Sequence, residues 1–198
     1  MPVHWSGKVC KMDKIKKIAK KNNLFVIEDS AQGMGSYYKD KHSGTFGDIA
    51  AFSAHPLKNL NALGDSGFVI TNNKLLYQKI KLYRNHGLQS RDKVEIFGVN
   101  SRLDSLNAEI LSFRLNKLKQ IIKKRRRNIS LYRKYIKTNK VILPKEFTHS
   151  YDSYVMMISL CENRDYLQSY LASKNIQSLI YYGTPLHLHK ASKKLGYK

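Results

Sequence analysis

The chain has 198 residues, 42% of them hydrophobic, so it can bury the core of one domain or of one domain and part of another. Its 36 Lys and Arg residues against 14 Asp and Glu give a formal net charge of +22, which allows binding to nucleic acid or acidic surfaces without specifying a fold. No apolar run is long enough to span a membrane, and the first residues lack the basic and apolar regions of a secretory signal. We therefore expect a cytoplasmic protein without a membrane association.

The cysteine and histidine spacing argues against metal binding. Cys10 and Cys161 stand alone, so we expect inert thiols in a reducing cytosol and neither a disulfide framework nor a zinc site. His187 and His189 are two residues apart, and in a strand their side chains would face opposite sides. We therefore expect no metal site.

The first half of the chain alternates between helix and strand patterns. Apolar residues recur at helical spacing over 12–19, with Asp13 as a candidate N-cap. The stretch at 37–42 is typical of a short hairpin or surface excursion. Three apolar runs predict strands of one mainly parallel sheet, at 24–27, 49–52 and 68–70.

Two helical patterns follow the third predicted strand. Thr71 or Asn72 can cap a helix that runs through Tyr83, with Gly87 as a C-terminal signal. Asp104 opens a helical pattern longer than typical globular helices, so we expect a bend or break within it.

The last third of the chain again predicts alternation. A strand near 154–160, a helix over 164–174 and a strand near 176–182 are expected. Pro144 and a polar stretch that begins at Thr148 mark a boundary. We therefore expect two domains, a partial large domain over 1–140 and a partial small α/β domain over 141–198.

The densest basic run, 123–127, lies inside a helical pattern. It is read either as a solvated helix face or as a phosphate-binding patch. Because the other lysines are dispersed and no recognised nucleic-acid motif accompanies them, a basic nucleic-acid-binding protein is the weaker alternative function.

Three polar residues follow the predicted strands and point to one chemistry. In an open α/β sheet, ligands bind beyond the carboxyl ends of the strands, which would gather Asp29, Ser53 and Lys58 around one crevice. A carboxylate, a hydroxyl and a lysine suit a cofactor with a cationic ring nitrogen, a phosphate and an aldehyde. Pyridoxal phosphate has all three groups.

The same residues carry a family resemblance. The chain resembles the DegT/DnrJ/StrS family of pyridoxal-phosphate-dependent nucleotide-sugar aminotransferases over nearly its whole length. Each motif alone is weak, but their order and spacing agree with the family. The motifs lie at 26–32, 47–71, 82–87, 98–104 and 184–188.

The resemblance implies a fold and a set of cofactor contacts. The expected fold is α/β and aspartate-aminotransferase-like, that is, fold type I of the pyridoxal-phosphate enzymes. Lys58 would be the Schiff-base lysine and general acid–base, and Asp29 would pair with the pyridine nitrogen. Gln32 would contact the ring near its phenolic oxygen, and Ser53 would bind the phosphate.

Four further residues have implied roles. Asn100 would reach the cofactor phosphate of the neighbouring subunit, which implies a homodimer with a shared active site, and Arg102 would steady that loop. Substrate contacts are predicted for His55, Tyr181 and His187, with Tyr181 standing where many members have histidine. Glu28 precedes Asp29 and would point the other way in a strand, so we assign it a structural role.

The implied activity is transfer of an amino group, from glutamate, to a keto-deoxy sugar of a nucleoside-diphosphate sugar for surface polysaccharide or glycan synthesis. Sugar dehydratases of the family replace the lysine with histidine, so Lys58 argues against that reaction. Full members carry an N-terminal portion with a phosphate-binding loop and a ring-stacking aromatic residue, and a further C-terminal piece. We therefore expect a fragment, and a catalytically incompetent one is the main alternative.

Overall fold

The computed structural model describes residues 1–197 and has a mixed α/β architecture. Six α-helices are present in the described residues: α1 (Met12–Lys21), α2 (Lys74–Tyr83), α3 (Ser105–Leu115), α4 (Leu118–Tyr135), α5 (Arg164–Ser173) and α6 (Lys190–Lys194). Short 3-10 turns span Trp5–Gly7 and Leu186–Leu188. The strands are β1 (Ile27–Asp29), β2 (Tyr37–Tyr38), β3 (Lys41–His42), β4 (Ile49–Ser53), β5 (Gly67–Ile70), β6 (Leu88–Ser90), β7 (Lys93–Val94), β8 (Val141–Ile142), β9 (Ser150–Tyr151) and β10 (Leu160–Cys161).

The chain divides into two compact units. The first contains Met1–Thr138 and Leu143–Ser159, and the second contains Asn139–Ile142 and the residues from Leu160 onward. In the second unit, β8 and β10 pair antiparallel, and α5 and α6 follow. The expected division into large-domain and small-domain parts at residue 140 stays a prediction.

The three predicted strands join one sheet, in the order β1–β4–β5. β1 and β4 are parallel, with Asp29 opposite Ala51, and β4 and β5 are antiparallel, with Ser53 opposite Gly67. Val3 adds a parallel bridge to Asp29 on the other edge of β1. The sheet is thus mixed, and it places the end of β1 beside the end of β4.

The start of the first strand was predicted wrongly. β1 begins at Ile27 and not at Leu24, because the Leu24 amide donates to Ala19 O of α1 at 2.9 Å. The Val26 amide then donates to Asp48 Oδ2 at 2.7 Å, so neither group joins the ladder.

Two hydrophobic clusters occupy the first unit. One joins α1 to the strands and consists of Val9, Met12, Ala19, Val26 and Tyr38. The other holds the loop after β4 against α3 and consists of Ala54, Leu60, Ala62 and Leu111. The loop of residues 54–62, called the Lys58 loop below, is therefore anchored by burial on both sides of Lys58.

The ends of the helices agree with the sequence-based predictions only in part. Asp13 does not cap α1, since its carboxylate accepts from Tyr38 Oη at 3.0 Å and from Lys39 Nζ at 2.8 Å. Asn73, rather than Thr71 or Asn72, is the N-cap of α2. The expected break in the long helical pattern is confirmed, at 116–117 between α3 and α4.

The hairpin at 37–42 is confirmed by the antiparallel β2–β3 pair, which β9 extends. The strand predicted at 154–160 forms only at Leu160–Cys161, because the Val155 amide donates to Ser6 O at 3.2 Å. No strand forms at 176–182 in the described chain, since the Ile176 amide turns back to Leu171 O of α5 at 2.9 Å.

The basic run at 123–127 is only partly solvated. Arg125 Nη1 donates to Val155 O at 2.6 Å. Arg126 Nη1 donates to Asp152 O at 2.7 Å and to Glu146 Oε1 at 2.8 Å. Lys123, Lys124 and Arg127 are exposed, so the expectation of a solvated face holds for these three only. The two arginines instead satisfy carbonyl groups that no strand satisfies.

The described residues, 1–197, contain neither a membrane-spanning helix nor a metal-binding cluster. None of the helices in this range combines the length and apolar character needed to cross a bilayer. No group of three or more His, Cys, Asp or Glu side chains in the same range is arranged to hold a metal ion.

Asp152 gives a prediction for the pH dependence of stability. It is 1% exposed, and its Oδ1 has no hydrogen-bond partner among the described residues. Burial, followed by the nearby Glu146 carboxylate, raises the pKa of Asp152 to about 6, above its value in the unfolded chain.

Because the folded-state pKa is raised, the folded state retains the Asp152 proton while the unfolded state loses it. Stability therefore falls as pH rises from about 4 to 6. We expect Asp152→Asn to raise the free energy of unfolding at pH 7 by about 2–3 kcal/mol and to gain little at pH 4. Urea unfolding at both pH values measures this, and an equal effect at both would contradict it.

Candidate functional site

A cavity at the ends of β1 and β4 brings two predicted site residues together. Its volume is about 310 Å³, and both Asp29 and Ser53 line it. Strand alternation explains this, since Asp29 pairs with Ala51 and Ser53 lies two residues further on the same face. The small, exposed Ala51 between them leaves open space over the sheet, and Ile27 adds an apolar wall.

Asp29 is held by its backbone and by a turn. Its amide donates to Pro2 O at 2.9 Å, and its carbonyl accepts from His4 N at 3.0 Å. Its Oδ1 accepts from Ala31 N at 3.0 Å. The carboxylate therefore stands at a fixed position at the end of β1 and also caps the following turn.

Hydrogen bonds between residues close in sequence shape the Lys58 loop. Ser53 Oγ accepts from His55 N at 3.3 Å, and the Lys58 amide donates to His55 O at 2.8 Å. Asn61 Nδ2 donates to Pro56 O at 2.8 Å. The loop closes where the Ala62 amide donates to Ala54 O at 2.8 Å. Lys58 is half-buried, and it is not among the residues that line the cavity of Asp29 and Ser53.

His55 lies on the same loop but faces an exposed acid. Its Nδ1 accepts from Leu57 N at 3.1 Å, and its Nε2 lies 3.9 Å from Asp65 Oδ1. Gln32 is buried, and its Oε1 accepts the Ser6 amide. The structure thus places Gln32 after the Asp29 turn, with its carbonyl oxygen already engaged.

Asn100 is exposed and does not line the cavity that contains Asp29. It forms an antiparallel bridge with Asn85, and its Oδ1 accepts from Arg102 Nε at 3.0 Å. This contact agrees with the expected role of Arg102, which stays a prediction. The contact of Asn100 with a neighbouring subunit stays a prediction.

The predicted substrate residues Tyr181 and His187 belong to the second unit. The Tyr181 ring packs on that of Tyr182, with centroids 4.4 Å apart. His187 is exposed in the Leu186–Leu188 turn, and His189 precedes α6. The strand geometry assumed for the two histidines is therefore wrong, although their roles stay predictions.

Sequence reasoning missed the partner of Glu28. Glu28 and His4 are both fully buried, and His4 Nε2 lies 2.7 Å from Glu28 Oε2. The same carboxylate accepts from the amides of Gly44 at 2.8 Å, Phe46 at 2.7 Å and Gly47. A charged residue at an inward strand position is a signal that such partners exist.

These donors also set the protonation of Glu28. Burial by itself would raise the pKa of the Glu28 carboxyl, but His4 and the three amides lower it below its usual value. The carboxylate is therefore ionised at neutral pH, directly beside Asp29 and on the opposite face of β1. The structural role expected for Glu28 agrees with these contacts.

A known protein family matches the whole chain. The profile of the DegT/DnrJ/EryC1/StrS aminotransferase family covers residues 1–198. The chain belongs to this family. Its members depend on pyridoxal phosphate, and the aspartate-aminotransferase-like α/β fold expected from the sequence is confirmed by solved members.

Two relatives illustrate the similarity. The dTDP-3-amino-3,6-dideoxy-alpha-D-galactopyranose transaminase of Aneurinibacillus thermoaerophilus is 41% identical over 191 residues, which cover 96% of this chain and 53% of that protein. The pleiotropic regulatory protein of Geobacillus stearothermophilus is 37% identical over 201 residues, covering 100% of this chain and 54% of its own length. The chain thus spans about half the length of the curated relatives it matches.

Solved structures agree. A DegT DnrJ EryC1 StrS aminotransferase from Brucella abortus has a TM-score of 0.92 and 32% identity, over 97% of this chain and 52% of that one. DesV from S. venezuelae, solved in complex with a ketimine intermediate, has a TM-score of 0.91 and 32% identity, over 98% of this chain and 52% of that one.

We predict that Glu28→Gln lowers the free energy of unfolding by about 2–4 kcal/mol at pH 7. A glutamine has one carbonyl oxygen for four donors, and its amide group would face one of those donors. Because the pKa of Glu28 is lowered, the contribution of the wild-type carboxylate is lost as pH falls through the folded-state value.

Urea unfolding of both proteins at pH 7 and at pH 3 measures this difference. The matched control is Glu95→Gln, which alters an exposed salt bridge with Lys93 and should change stability little. Equal midpoints for wild type and Glu28→Gln at pH 7 would contradict the prediction.

Proposed function

We propose that this chain supplies the reactive lysine and part of the cofactor site of a nucleotide-sugar aminotransferase. The proposed reaction moves an amino group, with glutamate as donor, to a keto-deoxy sugar of a nucleoside-diphosphate sugar. The observation that carries the proposal is the shared cavity of Asp29 and Ser53 at the strand ends, next to the Lys58 loop. Relatives named as dTDP-sugar and UDP-sugar aminotransferases support the substrate class.

The residues present fit pyridoxal phosphate. A carboxylate and a hydroxyl lie on one sheet face with the small Ala51 between them, which is suitable space for a flat ring. The exposed, apolar Ile27 lies two residues before Asp29 on the same strand face and lines the same cavity. When bound, the cofactor supplies an electron sink for the carbon that loses a proton.

Each residue has a proposed task. Asp29 would accept the N–H of the pyridine ring and keep that nitrogen protonated. The Ser53 hydroxyl would donate to a phosphate oxygen. The Nζ of Lys58 would hold the cofactor through its aldehyde carbon and later move the proton to and from the substrate carbon. Gln32 would act from the Asp29 turn on the phenolic side of the ring.

The remaining assignments extend the same proposal. His55, Tyr181 and His187 would contact the substrate. Asn100, exposed on its own loop, would serve the phosphate site of a second subunit in a homodimer. The aminated sugar would enter surface polysaccharide or glycan synthesis in the cytoplasm. The positive net charge would favour capture of the substrate diphosphate.

Reduction with borohydride in the presence of pyridoxal phosphate tests the lysine assignment, once the site has been completed with the polypeptide that corresponds to the other half of the relatives. We expect peptide mapping to place the stable adduct chiefly on Lys58, because its loop begins directly after Ser53, which lines the Asp29 cavity. Lys58→Ala should abolish the selective adduct, whereas the control Lys41→Ala, on exposed β3, should leave it unchanged. Adducts spread evenly over many lysines in all three proteins would contradict the assignment.

A second prediction concerns completeness. A phosphate with nearly two negative charges needs several oriented donors, and this chain supplies Ser53 and, through a second subunit, Asn100. We expect the 198 residues alone to bind pyridoxal phosphate weakly and to show negligible transamination. Adding the polypeptide that corresponds to the other half of the relatives should restore both.

Cofactor titration followed by absorbance, with an assay of sugar transamination, measures this prediction. The control is the Lys58→Ala chain with the same added polypeptide, which should regain no turnover. Tight, stoichiometric cofactor binding and full turnover by the 198 residues alone would show that fewer contacts suffice. Steeply salt-dependent DNA binding without any cofactor binding would instead favour the nucleic-acid alternative.

A further inference from the structure

The residue that follows Lys58 makes a contact far along the chain. Asn59 is 1% exposed, and its Nδ2 donates to Ser153 O at 3.3 Å, across a separation of 94 residues. The other hydrogen bonds described for the Lys58 loop stay within the loop or reach the β5 side of the sheet. Asn59 therefore ties the loop to a distant segment, residues 152–156.

The Asn59 side chain contributes little net stability to the fold. Its Oδ1 is buried and has no hydrogen-bond partner among the described residues. A buried acceptor without a partner opposes folding, and it offsets much of what the single Nδ2 bond contributes. The Asn59 amide therefore adds little to the free energy of folding, and its main effect is to fix the position of the Lys58 loop.

The 152–156 segment is a fixed reference for that contact. The Ser153 amide donates to Gly7 O at 3.0 Å. Ser36 Oγ lies 2.7 Å from Gly7 O and 2.8 Å from Ser153 Oγ. Because the Ser36 hydroxyl has one proton, which Gly7 O accepts, Ser153 donates its own proton to Ser36. Ser153 is fully buried, so these bonds are shielded from water.

Helix α4 holds the same segment from another side. Arg126 donates to Asp152 O at 2.7 Å, and Arg125 donates to Val155 O at 2.6 Å. Charged donors to carbonyl groups are among the stronger hydrogen bonds in proteins. The carbonyl that Asn59 contacts lies between these two clamped positions.

The segment also reaches the turn that carries Gln32. The Val155 amide donates to Ser6 O at 3.2 Å, and the Ser6 amide donates to Gln32 Oε1. Residues 152–156 are therefore connected to the Lys58 loop through the Asn59 side chain. They are connected to the turn of Gln32 through the backbone of Ser6, which the Gln32 side chain binds.

We infer that Asn59 is a positioning residue for Lys58, and that it fixes the Lys58 loop relative to the Asp29 cavity through Ser153. This inference rests on the proposed function. It predicts that loss of the Asn59 amide disturbs the reactivity of Lys58 more than it disturbs the fold.

The test uses the whole 198-residue chain together with the polypeptide that corresponds to the other half of the relatives, with pyridoxal phosphate and borohydride. The measured quantity is the amount of adduct on Lys58 divided by the mean amount on the other lysines. Asn59→Leu removes both the donor and the unpaired acceptor at similar size. We expect this ratio to fall at least about tenfold, and the melting temperature to shift by only a few degrees.

Two further variants separate positioning from stability. Asn59→Ala keeps the test decisive if the leucine variant fails to fold, and it should lower the ratio to the same extent. Val9→Ala is the matched control, because Val9 is fully buried in the other hydrophobic cluster. It should lower the melting temperature and leave the ratio unchanged.

The outcomes distinguish the two proposals. A selective wild type with an equally selective Asn59→Leu or Asn59→Ala overturns the positioning role and leaves the proposed function standing. A ratio that falls equally in Val9→Ala assigns the effect to general destabilisation and also overturns the role. A wild type without any preference for Lys58 overturns both proposals.

Discussion

The ionised Glu28 carboxylate is the buried charge on which the first unit depends. A buried charge in this position is tolerated only with several hydrogen-bond donors. Glu28 has four: the His4 side chain and three backbone amides of the loop at 44–47. These bonds fix the segment before β1, the strand itself and the loop before β4 relative to one another. Asp29 is the next residue, so the position of the cavity follows from the satisfaction of Glu28.

The second constraint is the backbone of residues 152–156, which passes through the unit without joining a sheet. Its polar groups are satisfied by Ser6, Gly7, Asn59 and the arginines of α4. A run of β-prone residues therefore does not form a strand, because its partners are side chains and irregular backbone. Two arginines of the basic helix α4 thus hydrogen-bond to buried backbone carbonyl groups and do not face only solvent.

The sequence predicted well what depends on local pattern. Alternation in β1 correctly separated Glu28 from Asp29, and the excessive length of the pattern after Asp104 correctly indicated a break. It failed where non-local partners decide. Asp13 has the composition of an N-cap but pairs with Tyr38 and Lys39, and nothing near residue 125 indicates that arginines will bind carbonyls thirty positions later. Pattern also cannot show which side chains share a cavity; the strand register does.

The contact between Asn59 and Ser153 has a consequence for the order of events during synthesis. The sheet β1–β4–β5 and the Lys58 loop use residues up to position 70, all of which leave the ribosome well before Ser153. At roughly 5–20 residues per second, the interval between the two is on the order of several seconds. Throughout that interval the nascent chain has the Lys58 loop but not the Ser153 carbonyl group that we infer to position it. The contact that we infer to position Lys58 therefore forms only after Ser153 has been synthesised.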